Sequence, residues 1–165
     1  GASPPPKECS AERCDLVRAV FQRVSRARVV VDGEEVSSIG AGALILLGVG
    51  KGDTEKDASY MADKLAGLRV FSDEQGKMNL SLLDIGGQAI VVSQFTLYGD
   101  VKKGKRPGFD GAADPRVGEE LYLEVVRRMN ELGVPTKTGV FGAHMQVELC
   151  NDGPVTILID SAKQF

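Results

Sequence analysis

The sequence contains a single histidine and no tryptophan, and this scarcity limits the chemistry available to it. A Ser-His-Asp triad or a Cys-His pair would have to use His144. We expect His144 to lie in a surface loop, because it stands just before an alternating strand pattern. No nucleophile elbow and no phosphate-binding P-loop is present, so the familiar hydrolase and nucleotidase classes are poorly supported.

The cysteines also exclude several classes of protein. Cys9, Cys14 and Cys150 show no paired spacing, which argues against a disulfide framework. No Cys or His pair completes a zinc site, so we predict neither a metal nor another cofactor. No apolar run reaches the roughly 18 residues of a membrane helix. These features predict a cytoplasmic protein with reduced thiols and no membrane partner.

The composition predicts one globular domain with a real core. The chain has 165 residues, a hydrophobic fraction of 42% and a net charge of -3. We predict a flexible N-terminal extension over residues 1–15 and a single domain over residues 16–165. Because proteins that coat nucleic acid are usually basic, any RNA contact must use a local basic patch.

The spacing of apolar residues predicts mostly strands. Strand patterns cover residues 17–24, 27–31, 36–39, 43–49, 69–72, 88–92, 145–150 and 155–159. Asp32-Gly33 predicts a hairpin turn, and the continuous apolar run over residues 43–49 predicts a strand buried on both faces.

Two helices interrupt the strands. The first should begin at Thr54, with Asp57 completing a capping box. The second should begin at Asp114 and end at Gly133, with its inner face formed by Val117, Leu121, Val125, Met129 and Leu132. This order predicts an α+β fold, a barrel-like and mostly antiparallel β body with two main helices.

Two polar segments stand among the apolar strands. Ser93-Gln94-Phe95-Thr96 places hydroxyls and an amide where a buried strand ends, and such groups can bind a substrate. The alternative is that they only satisfy loop backbone. Asn151-Asp152-Gly153-Pro154 predicts a turn between the last strands, and its glycine would let the backbone approach a ligand.

A basic loop follows the first polar segment. Lys102, Lys103, Lys105 and Arg106 lie within five residues of one another. Such a cluster can hold phosphate groups, although charge runs are often merely solvated. The pattern alone leaves both interpretations open.

Together these segments resemble the D-aminoacyl-tRNA deacylase family. The matching stretches are FQRVSRARVVVDGE, IGAGALILLGV, RVFSDEQGKMNLSL, VVSQFTLYGD, KRPGF and TGVFGAHMQVELCNDGPVT. They extend over nearly all of the chain after Leu16, and the SQFTL and NDGPVT segments are the most specific.

The resemblance implies a homodimer with an active site at each subunit interface. It implies catalytic positions at Ser93, Gln94 and Thr96. It implies substrate binding by Phe95, Leu97, Phe141, Gly142, Ala143 and Met145. A cis Gly153-Pro154 peptide would reach in from the partner subunit as a chirality filter, and Lys102, Lys103, Lys105 and Arg106 would contact the tRNA backbone.

The implied reaction is hydrolysis of the ester between a D-amino acid and the 3′ end of tRNA. Glycine mischarged onto alanine tRNA would also be removed, L-aminoacyl-tRNA would be spared, and no DNA would be required. Two other hypotheses remain, a noncatalytic nucleic-acid-binding module and a serine- or threonine-type esterase of small esters. The first predicts binding without turnover, and the second predicts activity without tRNA.

Overall fold

A computed structural model describes residues 17–163. The strands are β1 Arg18–Val31, β2 Glu34–Ile39, β3 Gly42–Gly48, β4 Phe71–Ser72, β5 Met78–Leu80, β6 Gln88–Ser93, β7 Thr136–Thr138 and β8 Gln146–Asp160. The helices are α1 Glu55–Gly67, α2 Leu82–Ile85 and α3 Pro115–Leu132, with a 3₁₀ turn at Phe95–Tyr98. The predicted extension over residues 1–15 lies outside the described residues.

The long strand β1 organises the main sheet. It pairs antiparallel with β2, β3 and β8, while β3 and β6, and then β6 and β7, pair in parallel. The predicted α+β class and the mostly antiparallel body are therefore confirmed. The parallel pairs were not predicted, and they matter because β6 ends at the polar segment that begins with Ser93.

Side chains nearly close this sheet into a barrel. Strands β2 and β7 lie at opposite ends of the order β2-β1-β3-β6-β7. The Ser37 hydroxyl donates to the carbonyl oxygen of Thr138 at 2.8 Å, and Lys137 Nζ donates to the carbonyl oxygen of Ser38 at 2.7 Å. We call this junction the β2–β7 seam.

Both faces of the central strands are buried, as the apolar run over residues 43–49 predicted. Ala43, Ile45 and Leu47 of β3 belong to a large cluster that includes residues of α1 and α3. Leu44 lies on the opposite face, in a smaller cluster with Ile90 of β6. Burial of these side chains is the main stabilising contribution to the barrel.

The local turn and capping predictions are confirmed. Asp32 and Gly33 form the β1–β2 turn with φ of 50° and 80°. The backbone N–H of Thr54 donates to the Asp57 carboxylate at 2.9 Å, and Asp114 caps α3 by accepting from the backbone N–H of Arg116 at 3.0 Å. Neither main helix, nor any other helix in residues 17–163, is long and apolar enough to cross a membrane.

Several element boundaries differ from the predictions. The strands predicted over residues 17–24 and 27–31 form one strand, β1. The predicted turn over residues 151–154 does not separate two strands, because β8 is continuous there; residues 152–155 form an irregularity without partners in β1. Leu132, predicted on the inner face of α3, is 42% exposed because it lies in the last turn, beyond the core.

Candidate active site

A cavity of about 720 Å³ opens where β6 ends. Ser93, Gln94, Phe95 and Thr96 form one wall. The opposite wall is formed by Phe141, Gly142, Ala143, His144 and Met145, and the start of α3 contributes Asp114, Pro115 and Gly118. The structure therefore brings together two of the predicted polar and substrate-binding segments that are far apart in the sequence.

The wall that follows β6 is held against β3. Gln94 donates its backbone N–H to the carbonyl oxygen of Leu47 at 2.8 Å, which extends the parallel pairing. The chain then turns into the 3₁₀ helix, whose Tyr98 hydroxyl donates to the carbonyl oxygen of Gly48 at 3.3 Å. A Cβ at Gly48 would lie 2.9 Å from the Tyr98 ring, so only glycine permits this approach. The polar segment at the end of the predicted strand thus continues as a short helical turn.

The turn presents its functional groups to the cavity. Thr96 is exposed, and its hydroxyl oxygen accepts a hydrogen bond from Gln94 Nε2 at 2.6 Å. Phe95 is 58% exposed and its side chain lines the cavity. The arrangement offers a hydroxyl, an amide and an aromatic ring on one surface.

Few groups near this wall can act as a base. In the described part of the chain, Asp114 and His144 are the only acidic or basic side chains that line the cavity. Asp114 already accepts from two backbone N–H groups at the start of α3, those of Arg116 and Val117. His144 is exposed, as expected for a loop residue, but it also lines the cavity.

The opposite wall is folded back on itself. The backbone N–H of Val140 lies 3.4 Å from the Met145 sulfur, and that of Ala143 donates to the carbonyl oxygen of Val140 at 3.2 Å. The ring of Phe141 packs against Tyr122 of α3, with centroids 6.0 Å apart. These contacts fix the wall to the helix.

Tyr122 anchors that wall from beneath. Its hydroxyl donates to the carbonyl oxygen of Val91 at 2.9 Å, and the side chain is buried. Burial raises the pKa of Tyr122 to about 12, because the phenolate would lose its hydration. Tyr122 therefore stays neutral over the physiological range.

Leu97 lies outside the cavity, although it was predicted to bind substrate. Its carbonyl oxygen accepts a hydrogen bond from Arg18 Nη1 at 3.1 Å, and the Arg18 guanidinium lies 4.9 Å from the ring centroid of Tyr98. Through this hydrogen bond, the backbone of Leu97 helps to hold the 3₁₀ turn against Arg18 of β1.

Gly153 and Pro154 also lie outside this cavity, on an exposed part of β8. Their peptide bond is cis, as the resemblance implied. Arg23 Nε donates to the carbonyl oxygen of the preceding Asp152 at 2.7 Å, and Arg23 Nη1 donates to the carbonyl oxygen of Val70 at 2.8 Å. The dipeptide is therefore tied to its own subunit while its outer surface is exposed.

The basic loop lines a second groove, of about 830 Å³, together with Arg18 and Tyr98. Lys102, Lys103, Lys105 and Arg106 are all exposed. Within residues 17–163 their side chains make no hydrogen bond or ion pair. Phe109, at the end of this loop, lines the first cavity instead, and the KRPGF motif is the sequence signal that could have identified it.

No group of three or more His, Cys, Asp or Glu side chains that could hold a metal ion occurs in residues 17–163.

Comparison with known proteins identifies the family. The family described as D-Tyr-tRNA(Tyr) deacylase matches residues 20–160. The chain belongs to this deacylase family. It is 60% identical over 150 residues to the D-aminoacyl-tRNA deacylase of Symbiobacterium thermophilum, covering 91% of this chain and 99% of the relative. It is 56% identical over 149 residues to that of Thermotoga petrophila, covering 90% of this chain and 100% of the relative.

Two solved structures share the deacylase fold. The first, described as c-Myc DNA Unwinding Element Binding Protein, has a TM-score of 0.82 and 43% identity, covering 86% of this chain and 97% of its own. The second, described as a probable eukaryotic D-amino acid tRNA deacylase, has a TM-score of 0.74 over 88% of this chain and 99% of its own. At 18% identity the second likeness concerns the fold alone. The predicted family, the enzyme class and the barrel-like fold are confirmed.

Proposed function

We propose that this deacylase hydrolyses the ester between a D-amino acid and the 3′-terminal adenosine of tRNA. The products are free D-amino acid and tRNA, and L-aminoacyl-tRNA is spared. The observation that carries the proposal is the cavity between the turn that bears Thr96 and the segment that bears Phe141. It combines hydrogen-bonding groups for an ester with aromatic surface for a nucleoside.

The reaction requires little acid-base machinery, because an aminoacyl ester is already activated. A water molecule attacks the carbonyl carbon, and the bond to the ribose 3′ oxygen breaks. Ser93 and Gln94 orient the 3′ terminus and stabilise the developing oxyanion. The neighbouring ribose 2′-hydroxyl accepts a proton from the attacking water as it gives its own proton to the leaving 3′ oxygen, so this transfer needs no His dyad.

Thr96 serves to position the substrate. Its hydroxyl oxygen accepts from Gln94 Nε2, and no acidic or basic side chain among the described residues is bonded to it. A threonine nucleophile would need a partner that removes its proton. The hydrogen bond instead fixes the direction in which the Thr96 hydroxyl donates.

The nucleoside end is bound by the aromatic surface. Phe95 is exposed at the rim and packs against the adenosine, while Phe141, Gly142, Ala143 and Met145 form the facing wall. Base stacking on an aromatic ring contributes about 1–3 kcal/mol, which is enough to place the scissile ester.

The enzyme is a homodimer in which one subunit excludes the side chain of an L-amino acid from the other subunit's cavity. Gly153 and Pro154 are exposed and lie outside the cavity of their own subunit, so they are available to reach the partner's cavity. There their carbonyl groups occupy the space of an L side chain, whereas a D side chain points away. Glycine has no side chain to exclude, so glycine mischarged onto alanine tRNA is also removed.

The tRNA backbone contacts the basic loop. The cationic side chains of this loop form no ion pair with a described residue. Arg127 and Arg128, in contrast, both pair with Glu124. Unpaired cations on an acidic protein are suited to phosphate oxygens. This arrangement also explains how a chain of net charge -3 can use RNA as its substrate.

Deacylation of matched D- and L-tyrosyl-tRNA by the purified protein tests the proposal. We expect turnover of the D ester and little turnover of the L ester, together with a dimer in analytical ultracentrifugation. Equal rates for both esters, or an active monomer, would contradict the chirality mechanism.

Nucleic-acid binding without catalysis is the second candidate. It is favoured by the unpaired basic loop and by the 43% identity to the c-Myc DNA Unwinding Element Binding Protein. Tight binding of RNA or DNA with no loss of the aminoacyl group would support this candidate against the deacylase.

A further inference from the structure

Phe109 occupies a particular position between the two grooves. Its ring lies 5.0 Å from that of Phe95, centroid to centroid, and the ring planes meet at 71°. Phe109 is half-buried and lines the cavity, whereas Phe95 is 58% exposed. The less exposed ring therefore supports the more exposed one.

The backbone beside Phe109 is anchored to the β body. Asp100 and Gly108 exchange two backbone hydrogen bonds, of 2.8 and 2.9 Å, which close the basic loop at its base. Further on, Ala113 donates its N–H to the carbonyl oxygen of Val49 at 3.0 Å. The cations at the tip are exposed, but the position of Phe109 is fixed.

The space around the ring pair is also tight. A Cβ at Gly99 would lie 3.3 Å from the Phe109 ring and 3.1 Å from the carbonyl oxygen of Thr96. The turn that bears Thr96, the base of the loop and the Phe109 ring are therefore in close contact. Removal of the Phe109 ring should therefore directly alter the packing of the Phe95 ring.

We propose that Phe109 is a positioning residue that holds the Phe95 ring in the orientation on which the terminal base of the substrate stacks. This inference rests on the proposed function, because it assigns the aromatic surface to the terminal nucleoside. An edge-to-face pair contributes about 0.5–1.5 kcal/mol beyond burial, which is enough to select one ring orientation.

The basic loop then has two separable parts. The cations at its tip act on the phosphates of the tRNA, whereas Phe109 at its base acts on the terminal nucleoside. Removal of the cations should affect only substrates that carry phosphates. Removal of the Phe109 ring should affect even a minimal substrate, a D-tyrosyl ester of adenosine.

The experiment compares Phe109→Ala, Phe109→Leu and Phe109→Tyr with the wild-type dimer. For D-tyrosyl-tRNA we expect Phe109→Ala and Phe109→Leu to raise KM about tenfold with kcat within about threefold, because stacking is weakened. Phe109→Tyr, which retains the ring, should restore the wild-type KM. The same pattern should appear with D-tyrosyl-adenosine.

A stacking probe separates this role from a loss of structure. In an amide-linked, non-hydrolysable analogue, 2-aminopurine replaces adenine, and its fluorescence is quenched when it stacks. We expect quenching with wild type and Phe109→Tyr, and loss of most quenching with Phe109→Leu. Wild-type quenching and KM in Phe109→Leu would overturn the inference, as would an equal loss in Phe109→Tyr.

Wild-type activity separates this inference from the function on which it rests. If the wild-type protein does not turn over D-tyrosyl-tRNA, the proposed function fails. If the wild type is active and both ringless variants match it, only the role of Phe109 fails. Should Phe109→Ala unfold, the Leu variant, which preserves apolar volume, decides the question.

Discussion

The side-chain amide of Gln94 donates to the hydroxyl oxygen of Thr96 across 2.6 Å. Both groups lie on the short turn after β6, at the mouth of the cavity. This bond orients the threonine hydroxyl, and no acidic or basic side chain within residues 17–163 is bonded to that hydroxyl to remove its proton. The reaction should therefore depend on the substrate's own 2′-hydroxyl more than on Thr96.

The first prediction separates a positioning threonine from a nucleophile. Thr96→Ala should reduce kcat on D-tyrosyl-tRNA by no more than about tenfold, whereas loss of a true nucleophile costs roughly a millionfold. Thr96→Ser, which keeps the hydroxyl, is the matched control. A tRNA ending in 2′-deoxyadenosine should not react, and full retention of its rate would contradict the RNA-assisted mechanism.

The second prediction concerns the basic loop. Replacement of Lys102, Lys103, Lys105 and Arg106 by glutamine should weaken tRNA binding, because each lost phosphate contact removes about 0.7–0.9 from the salt slope. The measurement is kcat/KM for D-tyrosyl-tRNA against salt concentration. Replacing Arg127, which pairs with Glu124 and Glu131 on α3, is the matched control and should leave the slope unchanged.

The third prediction tests the assigned place of Gly153. An added Cβ would lie 2.7 Å from the backbone nitrogen of Val155 and 2.8 Å from its Cγ2, so Gly153→Ala must displace the local backbone. We expect D-tyrosyl-tRNA turnover to fall at least about tenfold and stability to fall by about 1–3 kcal/mol. Gly40→Ala is the control, since no atom lies within 4 Å of its Cβ.

An unchanged D rate and unchanged chirality in Gly153→Ala would remove this residue from the site.

The fourth prediction follows from the buried Tyr122. Because burial raises its folded pKa to about 12, above an unfolded value of about 10, its contribution to stability is present below pH 10 and declines as pH rises toward 12. Tyr122→Phe should cost about 1 kcal/mol at pH 7, where the hydrogen bond to Val91 is lost.

Above pH 10 the difference in unfolding free energy between the wild type and Tyr122→Phe should narrow, because the wild type loses stability as Tyr122 ionises and phenylalanine does not ionise. Denaturant unfolding of both proteins at pH 7 and at pH 11 measures this difference in unfolding free energy at each pH. A constant difference across this range would mean that Tyr122 ionises no less readily in the folded chain than in the unfolded chain.

Local sequence signals predicted local structure well. The turn at Asp32-Gly33, the capping pair of Thr54 and Asp57, and the N-cap at Asp114 all depend on neighbouring residues, and each is confirmed. The predicted turn over residues 151–154 is instead an irregularity inside β8, because the strand pairs with β1 on both sides of it, at Asn151 and at Thr156. Tertiary pairing prevailed over local preference there.

The sequence identified the segments that form the site, but it did not show how those segments lie relative to one another. No local pattern states that β6 pairs in parallel with β3, and that pairing brings the Ser93 end of the strand beside Gly48. The same limit applies to Phe109, whose partner Phe95 is identified only by the folded loop. Leu97 does not line the cavity and its carbonyl oxygen accepts a hydrogen bond from Arg18, so its role in substrate binding, which the resemblance implied, stays a prediction.

The β2–β7 seam is where the ends of the sheet meet without a backbone ladder. Across it, Ser37 and Lys137 supply side-chain bonds where other neighbours share a backbone ladder. The segment that bears Phe141 follows β7, so this wall of the cavity continues directly from a strand that side chains join to β2. A substitution at Ser37 or Lys137 would therefore act on the cavity through β7, although neither residue lines it.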